Sequence, residues 1–190
     1  NQTTDTIGSI NIDMNTDQNI GGPKIKIINS NLNKKTINTA ANNPDAIDVL
    51  VNKEYRLPED YQPEALVTPD VRFAPGSFNK KMRKEAASAL EELFDAASAD
   101  GITLYAVSGY RSYAFQQATF QRNIDLMGSI ESANLYSARP GESEHQTGLA
   151  MDVTSKSVGY KLTAKFGENV EGEWVRDHAH KYGFIVRYLP

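Results

Sequence analysis

The chain has 190 residues, a formal net charge of −4 and no cysteine. That length supports one well-buried domain with chain to spare, and the acidic balance argues against nucleic acid as a partner, because phosphate binding needs a basic face. Disulfides and thiolate metal sites are excluded, so any metal must be held by the three histidines and by carboxylates.

Residues 1–45 are polar, rich in Asn, Thr and Asp, and read as an N-terminal tail or linker. Within them Lys24-Ile25-Lys26-Ile27-Ile28 alternates well enough for one edge strand. The chain opens at Asn1 rather than Met, and a preceding segment is expected to have been removed. No run of about 18 apolar residues is present to span a bilayer.

Residues 46–190 have the texture of a folded domain. Residues 48–52 look strand-like, and a Pro-punctuated extended run follows from Leu57-Pro58 to Pro69. Ser77 is placed to cap a helix carrying Met82, Ala86, Leu90, Leu93, Phe94 and Ala97 on one face, with Gly101 closing it. Residues 102–107 read as a strand and residues 112–127 as a second helix. A short buried strand is expected over residues 149–153. Residues 171–182 read as a third helix closed by Gly183, and residues 184–188 as a terminal strand. Helices and strands mix without regular βαβ spacing, which predicts an α+β domain with a mainly antiparallel central sheet and flanking helices.

Three segments could carry chemistry. In Ser143-Glu144-His145-Gln146-Thr147-Gly148-Leu149-Ala150-Met151-Asp152 an imidazole and a carboxylate stand seven positions apart. Both are first-choice zinc ligands, and Gly148 lets the backbone bend so that both can face one ion. Were this stretch extended, Glu144 would point away from His145. Ser108-Gly109-Tyr110-Arg111-Ser112 sets a guanidinium at a strand-to-helix turn, where it could meet a carboxylate or an oxyanion. The third segment holds Trp174 and His178 on one helix face, with His180 elsewhere. Neither histidine has a metal-ligand spacing with the other, so both read as structural.

These runs, together with Gln116, Ala138-Arg139-Pro140-Gly141 and Tyr182-Gly183-Phe184, closely resemble the VanY/LdcB-type zinc D,D- and L,D-carboxypeptidases of bacterial cell walls. The resemblance covers roughly residues 55–190 and implies a Hedgehog/DD-peptidase-like fold. It also implies one Zn²⁺ bound through His145 and Asp152. Arg111 would stabilise the oxyanion and help hold the substrate, and Gln116 and Ser143 would line the substrate pocket. The implied reaction removes the C-terminal D-alanine from a peptidoglycan stem peptide, outside the cytoplasm, by a monomer with a possible membrane anchor ahead of Asn1. The family's third zinc ligand and its catalytic Glu belong to a Glu-x-Trp-His segment after the Phe-Ile-x-Arg-Tyr strand. No such segment occurs up to Pro190, so both residues are expected beyond it.

The polar tail and the Ser-Glu-His-Gln-Thr-Gly block favour L,D activity on tetrapeptides over D,D activity on pentapeptides. A different class of function is a catalytically incomplete module that only binds peptidoglycan, for which the Hedgehog signalling domain is a fold-level precedent. A serine hydrolase fails, since the chain has no Gly-x-Ser-x-Gly elbow.

Overall fold

A computed structural model describes residues 11–14, 39–40 and 43–187, the first two stretches as backbone alone. In chain order the strands and helices are β1 (Asn11–Met14), β2 (Thr39–Ala40), β3 (Tyr55–Arg56), β4 (Leu66–Val67), β5 (Met82–Arg83), α1 (Lys84–Ala99), β6 (Tyr105–Ser108), α2 (Tyr113–Met127), α3 (Ile130–Tyr136), β7 (Met151–Thr154), α4 (Val170–His178) and β8 (Phe184–Val186). The central sheet runs β6-β7-β1-β8, and every neighbouring pair in it is antiparallel. The mixed helix-and-strand domain with a mainly antiparallel sheet agrees with the sequence reading. The edge strand expected over residues 24–28 lies outside the described residues. Asn11–Met14, in the stretch read as a tail, forms a strand between β7 and β8.

The core lies against α1, whose buried positions Ala86, Ala87, Leu90, Leu93, Phe94 and Ala97 recur at helical spacing. They meet Leu104, Ala106, Met151 and Val153 from the sheet, with Phe166, Val175, Ala179 and Phe184 closing the cluster. Leu90 and Leu93 are wholly buried, and each contributes about 1.5–3 kcal/mol from burial.

Helix α1 starts later than its periodicity suggests. Ser77 sits in a turn instead, and the cap position falls to Arg83, whose side chain makes no cap hydrogen bond. The physical reason is tertiary. Residues 79–83 are held extended, with Gly109 N–H donating to Asn79 O, Tyr110 N–H to Lys81 O, and Arg83 N–H to Gly148 O. Met82 therefore enters the core from β5 rather than from a helix. The second helix falls where expected, with Ser112 outside it as its cap, the hydroxyl accepting from Phe115 N–H at 3.2 Å.

Residues 48–52 are not a strand. Val49 and Val51 are buried and Leu50 is exposed, so the alternation is real, but among the described residues no ladder partner lies beside them. Asn52 ends the stretch by accepting from the N–H groups of Glu54 and Tyr55. The third helix also differs: α4 stops at His178 and tightens into a 3-10 turn, Ala179–Tyr182, before Gly183. Trp174 and His178 stack at 4.4 Å between ring centroids. His178 Nδ1 is 2.9 Å from Trp174 O, and Trp174 Nε1–H donates to Asp100. This cluster is a packing element.

Candidate active site

Strands β6 and β7 bring the chemical groups together. Ser108 faces Asp152 across the ladder, and a register shift between Ala106 and Ser108 bends the end of β6. That bend turns Ser108-Gly109-Tyr110-Arg111 over the β7 carboxylate. Arg111 Nη2 then donates to Asp152 Oδ2 at 2.7 Å, while its Nε donates to Ser108 Oγ at 3.1 Å. Asp152 is completely buried.

His145 reaches the same carboxylate from a 3-10 turn, Glu144–Thr147. Gly148 ends this turn with φ 73°, a conformation that glycine adopts without strain. The turn is pinned on both sides. Arg111 N–H donates to His145 O, Thr147 Oγ1–H to Glu144 O, and Leu149 N–H to Thr147 Oγ1. His145 Nδ1 lies 2.7 Å from Gly109 O. With Nδ1 donating, the ring lone pair is on Nε2, which faces Asp152 Oδ1 at 3.5 Å.

Close approach at Gly109 is part of the design. A Cβ there would strike the Lys81 carbonyl oxygen and come within 2.9 Å of Met151 Cε. Gly109→Ala is expected to destabilise the fold by about 1–3 kcal/mol, read as a lower urea midpoint, and to move the carbonyl that orients His145.

The pair of donors fits a zinc ion. Asp152 Oδ1 is a buried oxygen without a hydrogen-bond partner among the described residues, and the His145 Nε2 atom lies 3.5 Å from it. Nitrogen plus carboxylate oxygen is a donor set zinc accepts. Among the described residues no cluster of three or more potential ligands occurs.

The other sequence-predicted residues lie around this centre. Ser143 precedes the His145 turn, is buried, and does not cap the turn with its side chain. Gln116, on the first turns of α2, is buried and donates to Ala138 O at 2.8 Å and to Ser137 Oγ at 3.3 Å. Its Oε1 has no partner among the described residues. Arg56 ties down the approach to the turn, donating to Pro140 O and standing 3.7 Å from the buried Glu142.

Sequence reasoning missed two groups. The Gly109 carbonyl is a backbone atom that no motif marks. Glu144 does not follow the geometry of an extended segment, because the turn curls it onto Arg187, Nε to Oε1 at 2.8 Å. Burial pushes the Glu144 carboxyl above the usual carboxylate range, against the opposing pull of Arg187 and His145.

Taken together, a β-ladder carboxylate, a turn-borne histidine and an arginine across the strand converge on one place at the end of the β6–β7 ladder. The sequence model of the family described as VanY: D-alanyl-D-alanine carboxypeptidase matches residues 79–190. The chain belongs to this family. It is 52% identical over 151 residues to YodJ of Bacillus subtilis (strain 168), which bears a provisional carboxypeptidase name; the match covers 77% of this chain and 54% of YodJ. The chain spans about half the length of the curated relatives it matches. Among solved structures it is similar to the LdcB LD-carboxypeptidase, with TM-score 0.75 and 50% identity over 80% of this chain and 71% of the other. It is also similar to a mutant of the vancomycin-resistance D,D-pentapeptidase VanY in complex with Zn(II), with TM-score 0.54 and 28% identity over 72% of this chain and 73% of that one.

Proposed function

We propose that this chain is the catalytic domain of a zinc-dependent carboxypeptidase that removes the terminal D-alanine from peptidoglycan stem peptides, acting outside the cytoplasm as a monomer. The observation that carries this reading is the convergence of His145 Nε2 on Asp152 Oδ1, 3.5 Å apart, with Arg111 on the other carboxylate oxygen. Similarity to LdcB and to the Zn(II)-bound VanY supports it. No helix among the described residues is long and apolar enough to cross a membrane.

In this reading His145 and Asp152 hold the metal, with the third ligand, a His, and the catalytic Glu supplied by chain beyond Pro190. Bound zinc would supply Lewis acidity towards the scissile carbonyl and a water of lowered pKa. The protein's own groups do the rest. Gly109 O holds the imidazole in the metal-binding tautomer. Arg111 N–H groups not committed to Asp152 or Ser108 meet the negative charge that grows on the carbonyl oxygen. Gln116 Oε1 accepts a hydrogen bond from the stem peptide, and the Ser143 hydroxyl donates or accepts one.

We place the activity as L,D on tetrapeptides, supported by 50% identity to LdcB against 28% to the D,D-pentapeptidase. The test is D-alanine release by the full-length protein from stem tetrapeptide and pentapeptide. The expected result is a kcat/KM at least about tenfold higher on the tetrapeptide, about 1.4 kcal/mol in favour of that transition state. Equal or greater activity on the pentapeptide makes the enzyme a D,D-carboxypeptidase. Zinc binding and peptide binding without hydrolysis would make the domain a peptidoglycan-binding module.

A further inference from the structure

We propose that Gln146 is a positioning residue for His145: its side-chain amide clamps the metal-binding turn onto residues 58–61, which precede the stretch matched by the VanY model and thereby become part of the metal centre's support. This deepens the reading above and rests on it only for the metal that His145 holds.

The clamp follows from the turn. In a 3-10 turn successive side chains point about 120° apart, so Gln146 leaves the Glu144–Thr147 turn in a different direction from His145. His145 is directed at Gly109 O and Asp152, and Gln146 at residues 58–61. Gln146 is completely buried, and its Nε2 donates to two carbonyls, Pro58 O at 3.1 Å and Tyr61 O at 3.3 Å. That pairing fixes the amide, because the reversed orientation would set Oε1 against both carbonyl oxygens. Oε1 has no partner among the described residues, so the N–H groups carry the contact.

The receiving segment is itself anchored. Tyr61 N–H donates to Pro58 O at 3.2 Å, which closes residues 58–61 as a turn. Just ahead of it Leu57 N–H donates to Gly141 O at 2.8 Å, and Arg56 donates to Pro140 O. The Tyr61 hydroxyl lies 2.8 Å from Pro44 O and 3.1 Å from Asp45 Oδ1. Burial, then the hydrogen bond to Asp45, push the Tyr61 phenol up to about 12, so it remains a donor at neutral pH. Arg83 completes the circuit, its Nη1 donating to Asp45 O and its backbone N–H to Gly148 O. Of these contacts, the one made by Gln146 stands next to the ligand. Two neutral hydrogen bonds add modestly to stability. Their use is geometric: they fix the turn from a second direction, so that the imidazole does not depend on its bond to Gly109 alone.

The test uses the full-length protein with three substitutions. Gln146→Met keeps the volume and removes the donors, Tyr61→Phe loosens the segment at its other anchor, and Leu93→Val is a control in the core of α1. Zinc affinity by chelator competition is read beside amide exchange in the metal-free protein. Gln146→Met is expected to weaken zinc binding about tenfold, the lower end for partners one step out from a ligand. It should also raise exchange over residues 143–149 about tenfold relative to α1. Tyr61→Phe should shift both readouts the same way by less. Leu93→Val should lower the urea midpoint and leave zinc affinity within about twofold. Unchanged affinity in Gln146→Met overturns the proposal, and so does an equal fall in Leu93→Val, which would make the effect one of global stability. Exchange that rises no more in the turn than in α1 overturns it too. Should Gln146→Met fail to fold, Tyr61→Phe decides on the same two readouts. Should the unmodified protein bind no zinc, the functional reading falls, and the exchange comparison decides the clamp by itself.

Discussion

Replacing His145 by alanine in the full-length protein is expected to empty the metal centre and stop hydrolysis. The imidazole is nearly buried, held through Nδ1 by Gly109 O, and directed at Asp152. No neighbour can stand in for it. His178 is committed to a stack on Trp174 within α4, and His180 follows it in the next turn. Loss of an outer-shell partner weakens metal binding about 10–100-fold, and loss of the ligand itself should exceed that range. The fold should survive, since the main new cost is an unpaired Gly109 carbonyl, about 1–3 kcal/mol. Zinc content by elemental analysis and D-alanine release are the readouts, and retention of either at wild-type level would count against the assignment. Asp152→Asn is the milder companion. It preserves shape but removes the charge that balances both Zn²⁺ and Arg111, so zinc affinity should drop, and the thermal midpoint should fall as Arg111 loses its buried carboxylate partner.

The site was legible in the sequence wherever its geometry is local. Ser143 to Asp152 bends at Gly148 and runs into a buried strand, and the structure places His145 and Asp152 face to face as that pattern predicts. Ser112 declares the start of α2 through its own hydroxyl. What failed was decided by distant partners. Ser77 has the chemistry of a helix cap, but residues 79–83 are needed as an extended brace for the Ser-Gly-Tyr-Arg segment, and the helix yields to them. Val49 and Val51 alternate as a strand should, yet a strand also needs a neighbour. Extended geometry would direct Glu144 away from His145. A 3-10 turn and Arg187, a residue far along the chain, turn it into the body of the protein.

Arg111→Ala is expected to show two separable losses, because the arginine has two kinds of neighbour. The family resemblance assigns it to the substrate oxyanion, a role whose removal lowers kcat about 10²–10³-fold. The structure adds a bond to Asp152 Oδ2 at 2.7 Å and leaves Oδ1 towards His145. That arrangement orients the carboxylate, and by precedent for such outer partners its loss weakens zinc binding about 10–100-fold. The Arg111 side chain is 22% exposed, so it can reach substrate while holding Asp152. Arg111→Lys keeps a charge near the carboxylate but lacks the planar fork, and should restore zinc affinity more than kcat. The check is a chelator-competition measurement of zinc affinity beside kcat at saturating zinc. Full recovery of activity on adding zinc would confine Arg111 to orienting Asp152. Unaltered affinity with a fallen kcat would confine it to the substrate, and either outcome would break the dual assignment.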